Sequence, residues 1–275
     1  MAGNNVNMYS AGVLDGVGVE GVKFVKDHFR IIIRYSVLLG FIETLIWVPT
    51  PPSLDLIMSI ISIFLCTMFA ITLHRKILTD DHQIPPTIDL RVLFFVVVAF
   101  CQTIVIVLVA FVVLVLGFGS IQTGILLSQG LPDFISSAAT LIFIAAWVLG
   151  LAVGLLWILS RTILFFPHIA VTPKEKISLG GVWLLSDGLV WEIAKRLAVY
   201  TVVAGAITVL TLVLSPVEEI DTVSRRLVTG PAYFIESVVF YLTSACFVAL
   251  ASLIYKRATN DLHQQQSGDG TLAPT

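Results

Sequence analysis

Charge is what this chain of 275 residues has least of. Asp, Glu, Lys and Arg make up 12% of it, against about 25% in an ordinary soluble domain. Hydrophobic residues make up 57%, and the mean hydropathy is +0.97. A soluble monomer has no interior large enough to hide so much apolar surface. The net charge of −2 excludes a strongly basic nucleic-acid binder, and the apolar blocks leave no length for a compact catalytic domain.

Other absences narrow the reading further. The three cysteines, Cys66, Cys101 and Cys246, lie far apart inside apolar blocks, which suggests neither a disulfide framework nor a thiolate metal site. His74, His82, His168 and His263 have no H-E-x-x-H spacing, and Asp80 and Asp81 are adjacent, so their side chains diverge. Ser36, Ser160 and Ser186 sit in no G-x-S-x-G elbow. The first thirty residues hold no apolar core of signal-peptide length, so no removable leader is expected. No repeat of 20–50 residues is visible, which argues against an inverted-repeat transporter. These absences predict no catalytic residues, no metal and no cofactor.

What the chain does have is long apolar runs. About twenty apolar residues cross roughly 30 Å of hydrocarbon, and six blocks meet or approach that length: 31–48, 54–73, 92–118, 138–159, 197–214 and 234–254. The third has no charge between Val92 and Phe118. The first contains Arg34 and Glu43, and Pro49-Thr-Pro-Pro-Ser53 after it forces a turn. The predicted fold is all-α, a polytopic bundle of six transmembrane spans with one or two interfacial amphipathic helices. It divides into a cytoplasmic leader with an amphipathic segment (1–30), a membrane domain (31–257) and a disordered cytoplasmic tail (258–275).

Cations fix the expected orientation. In a six-span arrangement 14 of the 16 Lys and Arg residues fall on one side, and only Arg225 and Arg226 fall on the other. Positive loops stay inside, so both termini are expected in the cytoplasm of a bacterial cell, with a multi-pass protein in its inner membrane. Between the spans, residues 18–30 suggest one amphipathic helix, whose beginning Gly12, Gly16, Gly18 and Gly21 weaken. Ile177, Val182, Trp183, Leu184, Leu185, Val190 and Trp191 suggest another, of about 12–14 residues, laid on the bilayer. For 119–137 the sequence leaves a short surface helix and an irregular loop both open.

Gly16-Val-Gly-Val-Glu-Gly21 spells G-x-G-x-x-G but lacks a βαβ context, and a flexible leader accounts for it better than nucleotide binding. Glu43 stands about 12 residues into a span, where a carboxylate costs roughly 2.5–3.5 kcal/mol unless neutral or paired. Its functional reading is a proton or substrate relay. Its structural reading is a carboxyl bonded to a neighbour such as Thr67, Gln102 or Thr103. A relay needs several such groups and only Glu236 joins it, so the structural reading is preferred. Glu236 itself, five residues after Pro231, is expected to start the sixth helix, where a carboxylate suits the helix N-terminus. Arg34 and Arg161 lie where they can snorkel to anionic headgroups. Gly150-Leu-Ala-Val-Gly154 lets two helix backbones approach, within the bundle or between copies.

Three patches carry a family resemblance. Leu73-His-Arg-Lys-Ile-Leu78, the stretch from Arg161 through Pro167 to Ala170 continued by Trp183, Asp187-Gly188 and Trp191, and Ser252-Leu-Ile-Tyr-Lys-Arg257 resemble the matching segments of uncharacterised six-span bacterial inner-membrane proteins. Those proteins are related to the glycerophosphoryl diester phosphodiesterase membrane-domain group. The resemblance implies fold and location. Ser186-Asp187 stands where that group has Thr followed by Lys or Arg, and no active site is carried over. The expected activity is non-enzymatic engagement of membrane lipids, a membrane-protein partner or a second copy, with no nucleic acid. The alternative is a small permease for an apolar or amphipathic solute, with Glu43 and Glu236 on its path.

Overall fold

The computed structural model describes residues 12–46, 52–79, 90–127, 133–172, 177–214 and 222–269. These residues form an all-α helical bundle without a strand. The helices are α1 (Val17–Asp27), α2 (Phe29–Ile46), α3 (Pro52–Thr79), α4 (Leu90–Leu127), α5 (Asp133–Thr162), α6 (Phe165–Val171), α7 (Leu179–Leu185), α8 (Val190–Leu214) and α9 (Thr222–Asp269).

Each of the six apolar blocks lies within or largely within one of the long helices. Among the described residues four helical stretches are long and apolar enough to cross a membrane: Leu56–Thr79, Leu90–Val113, Thr140–Val171, which runs from α5 into α6, and Phe234–Gln264. They are consistent with a multi-pass membrane protein. The first and fifth blocks lie on α2 and α8. Arg30, Arg34 and Glu43 interrupt α2, and Glu192, Lys195 and Arg196 open α8.

Local sequence sets the helix ends. Pro52 opens α3 at a first-turn position that needs no N–H. Gly16, at φ 76°, caps α1 in the left-handed region that a side chain resists. The Oγ of Ser178 accepts from the Gly181 N–H at 3.3 Å to start α7. Gly188, at φ 80°, makes the turn into α8. The α4 helix runs on to Leu127 and α5 starts at Asp133, so much of 119–137 continues these two helices. Residues 128–132 lie outside the described set.

The α9 helix is the spine, packed by α1, α2, α3, α6 and α8. Glycine permits the closest of these approaches. A methyl group at Gly40 of α2 would stand 2.9 Å from Val238 Cγ2 and 3.3 Å from the Val238 nitrogen of α9. The buried core falls into three clusters. Its largest cluster joins Leu14 and Val17, Ile163 and Leu164, Val182 and Leu185, Ile193 and Leu197, and Leu250 and Ile254. A second cluster packs α2, α3 and α9 around Ile32, Phe69 and Tyr241, and a third packs α3, α4 and α6 around Ile71, Phe95 and Ile169.

By contrast, α4 and α5 turn Phe100, Phe111, Leu141, Ile142 and Val148 outward, each more than half exposed. Contiguous apolar surface of this kind marks contact with lipid or another apolar partner.

Several sequence expectations are corrected here. The helix of about 12–14 residues laid on the bilayer is replaced by the seven-residue α7 and a turn before α8. Val182, Leu185 and Val190 are buried in the bundle, and only Trp183, Leu184 and Trp191 of that set remain strongly exposed. The α6 helix, which falls between the expected spans 138–159 and 197–214, is drawn inward because Pro167, Ile169 and Ala170 fill the space against α3 and α4. The tail expected to be disordered continues α9 through Asp269, with Ala258 buried and Leu262 packed on the largest cluster. Residues 270–275 lie outside the described set. Because α9 begins at Thr222 and includes Pro231, Glu236 lies in a helix interior and not at its start. The G-x-G-x-x-G stretch is no flexible leader: Gly16 caps α1, and buried Gly21 abuts the α9 backbone at Leu250.

Candidate functional site

Two polar regions stand out against the apolar surface. The first joins Arg91, Arg161, Arg196, Lys256 and Arg257 to polar groups at helix ends and connecting turns. Arg196 of α8 donates to the Leu14 carbonyl at 2.9 Å and to the Glu192 carboxylate at 2.9 Å. Arg257 of α9 donates to the Asp15 carbonyl and pairs with Glu20. Arg91 of α4 reaches the Ala170 carbonyl at the end of α6 at 3.5 Å, and Lys256 of α9 reaches the Ile77 carbonyl near the end of α3 at 3.4 Å. Cations near helix C-termini satisfy carbonyls that the helix itself leaves open. Glu192 also accepts from Lys195 at 2.8 Å, and the hydrogen bonds from Lys195 and Arg196 hold its carboxyl below the usual carboxylate range.

Arg161 is the most elaborately held of these cations. It ends α5 with a side chain only 15% exposed. Its Nη2 donates to Asp187 Oδ1 at 2.9 Å and its Nη1 to Ser186 Oγ at 3.4 Å. The guanidinium lies 5.6 Å from the Trp157 ring centre and 5.3 Å from that of Trp183, within cation–π range of both. The two indoles meet edge to face with centroids 6.4 Å apart. Trp183 is 41% exposed, Leu184 64% and Trp191 59%. A held guanidinium beside exposed tryptophans is the pairing expected at the headgroup level of a bilayer.

His168 fastens α6 to the start of α7 and to α9. Its Nε2 accepts from the Ser178 N–H at 3.4 Å, and its Nδ1 lies 2.9 Å from the Tyr255 hydroxyl of α9.

The second region lies among the apolar helices. Glu43 Oε1 accepts from the hydroxyls of Ser62 on α3 and Tyr241 on α9, the latter at 3.0 Å. These partners replace the expected Thr67, Gln102 or Thr103, and the Thr103 hydroxyl donates to the Ala99 carbonyl instead. Nothing in the sequence links positions 43 and 241, which only packing against α9 brings together. Thr44, Thr72 and Thr243 likewise bond backward to carbonyls four residues away. That arrangement keeps hydroxyls satisfied where water is absent.

Nearby, α3, α4, α5, α6 and α9 border an open cleft of about 280 Å³. Its walls are apolar apart from His74, Gln102 and Ser244. His74 is 1% exposed, and its Nδ1 lies 2.7 Å from Ser252 Oγ. Sequence reading gave His74 no role, since one histidine without a partner at short spacing carries no signal.

The structure places the remaining sequence candidates separately. Glu236 is half-buried on α9, and Glu43 makes its hydrogen bonds with Ser62 and Tyr241, not with Glu236. Arg34 is exposed on α2, one turn from exposed Arg30. Pro167 is buried in the first turn of α6, where its missing N–H does no harm. Gly150 and Gly154 meet nothing among the described residues within 4 Å of an added methyl group. Among the described residues no three His, Cys, Asp or Glu side chains converge on a metal-sized site. Compared with known proteins, the chain matches no family model, no curated protein and no solved structure.

Proposed function

We propose that this is a non-enzymatic protein of the bacterial cytoplasmic (inner) membrane that engages anionic lipid through its cationic, tryptophan-bearing end. The proposal includes six spans, both termini in the cytoplasm, and kinship with the six-span group that the three sequence patches resemble. The observation that carries it is Arg161 held between Trp157 and Trp183, with Trp183, Leu184 and Trp191 exposed beside it. The pairing of α1, α8 and α9 through Arg196 and Arg257 supports the even span count, because it draws distant cationic segments together.

The permease alternative has no comparable observation in its favour. Glu43 is engaged by two hydroxyls, and neither it nor Glu236 lines the cleft.

Native mass spectrometry of the detergent-extracted protein tests the proposal. Offered phosphatidylglycerol and phosphatidylethanolamine in equal amounts, the wild type should retain the anionic lipid preferentially. Arg161→Ala combined with Trp183→Ala should weaken that preference. Equal retention of the two lipids by the wild type would overturn the lipid reading.

A further inference from the structure

The cleft beside His74 has a hydrogen-bonding character that its own walls leave unanswered. The single hydroxyl hydrogen of Ser252 is directed to the Val248 carbonyl, at 2.8 Å. With that hydrogen assigned to the carbonyl, the back-bond usual for a helical serine, Ser252 Oγ is the acceptor toward His74 Nδ1, 2.7 Å away. That places the ring hydrogen on Nδ1 and, in the neutral imidazole, leaves Nε2 as a bare acceptor. The ring lines the cleft, and the hydrogen bond it makes to the described residues is the one at Nδ1. Gln102 of α4 and Ser244 of α9 add two more polar side chains to walls otherwise built from groups such as Phe95, Phe166 and Phe247.

An unanswered polar atom on a buried ring is costly, and His74 is 1% exposed. An apolar cleft with a few convergent polar groups is the usual form of a small-molecule site. The lining includes no Lys or Arg, so a phosphate or carboxylate headgroup would enter without a counter-charge. An uncharged molecule with a hydroxyl and a long apolar body meets each of these conditions.

We infer that the cleft binds an uncharged long-chain lipid with a free hydroxyl, which donates to His74 Nε2 while Gln102 and Ser244 complete its hydrogen bonds. The chain lies against Phe95, Phe166 and Phe247. This site is separate from the anionic-lipid surface around Arg161 and stands or falls without it.

A photoreactive hexadecanol carrying a diazirine, added to vesicles that hold the full-length protein, tests the inference by mapping labelled peptides. Labelling should concentrate on the peptides that contain Phe95, Phe166 and Phe247 and be competed by plain hexadecanol. The methyl ether of the same probe, which has no donor, should label on the order of five- to tenfold less, the effect of losing one neutral hydrogen bond. His74→Phe should lower labelling by the hydroxyl probe to the level of the ether. Ala99→Phe, which fills the cleft from α4 and leaves His74 and Ser252 in place, should abolish the focused labelling. It decides the matter should His74→Phe fail to fold. Equal labelling by alcohol and ether, or labelling spread evenly over the outward faces of α4 and α5 and unchanged in Ala99→Phe, would overturn the inference.

Discussion

Tyr241 of α9 donates its phenolic hydroxyl to the Glu43 carboxylate of α2 at 3.0 Å, across 198 positions of sequence. Tyr241 is 5% exposed, so the bond ties two helices together where water cannot substitute. Tyr241→Phe should lower stability by about 1 kcal/mol, within the range of interhelical hydrogen bonds in membrane proteins. Glu43→Leu should cost more, roughly 1–3 kcal/mol, because it strands the hydroxyls of both Ser62 and Tyr241. Thermal unfolding in detergent measures both. Glu43→Leu more stable than Tyr241→Phe would contradict this assignment.

Glycines on two faces predict opposite outcomes. Gly40→Ala puts a methyl group 2.9 Å from Val238 Cγ2 and near the α9 backbone, and should destabilise by about 1–3 kcal/mol. Gly150→Ala and Gly154→Ala meet nothing among the described residues within 4 Å. They should be neutral or stabilise the monomer by roughly 0.5–1 kcal/mol through helix propensity. Melting temperatures separate the two cases, and sedimentation in detergent shows whether either α5 variant changes the association state.

Arg161→Ala removes a guanidinium that touches two indoles and a carboxylate, and should cost about 1–2 kcal/mol. Arg161→Lys keeps the charge but loses the planar fork, and should fall between wild type and Arg161→Ala. Asp187→Ala should cost no more than about 0.5 kcal/mol, because the Asp187 side chain is 62% exposed. Trp fluorescence should shift in Arg161→Ala and remain near wild type in Asp187→Ala.

Acid should loosen the contact around Glu192. Its folded carboxyl titrates below the ordinary 4.5 because Lys195 and Arg196 bond to the charged form. A lowered folded value contributes stability above pH 4.5 that is lost as pH falls through the folded value. The side chain is 47% exposed, so solvent screening keeps the effect small. Glu192→Gln should melt below wild type at about pH 6, and the difference should shrink as the pH falls below 4.5. A difference that stays constant over that range would rule out the titration.

The long helices were legible because hydropathy reports burial in lipid directly. Each apolar block lies within or largely within one helix of the structure, and Pro52 marks the start of α3 as a proline should. Helix ends were less legible. The α4 and α9 helices run past the expected spans because the residues beyond hydrocarbon length carry no strong stop signal. Packing between distant segments was least legible. The burial of α6 against α3 and α4, the clasp of Arg161 by Trp157 and Trp183, and the choice of Ser62 and Tyr241 by Glu43 all depend on which helices share a face. Hydropathy carries no such information, and a pair such as Glu43 and Glu236, alike in residue type, is given different surroundings by the fold.

The even number of crossings is the claim on which orientation, the cationic inner end and the lipid reading together rest. A paired reporter, alkaline phosphatase or green fluorescent protein fused after Thr275 and, separately, at Gln129, reads it directly in intact bacterial cells. Fluorescence without phosphatase activity at Thr275, with the reverse at Gln129, is the predicted result. Phosphatase activity at Thr275 would contradict it.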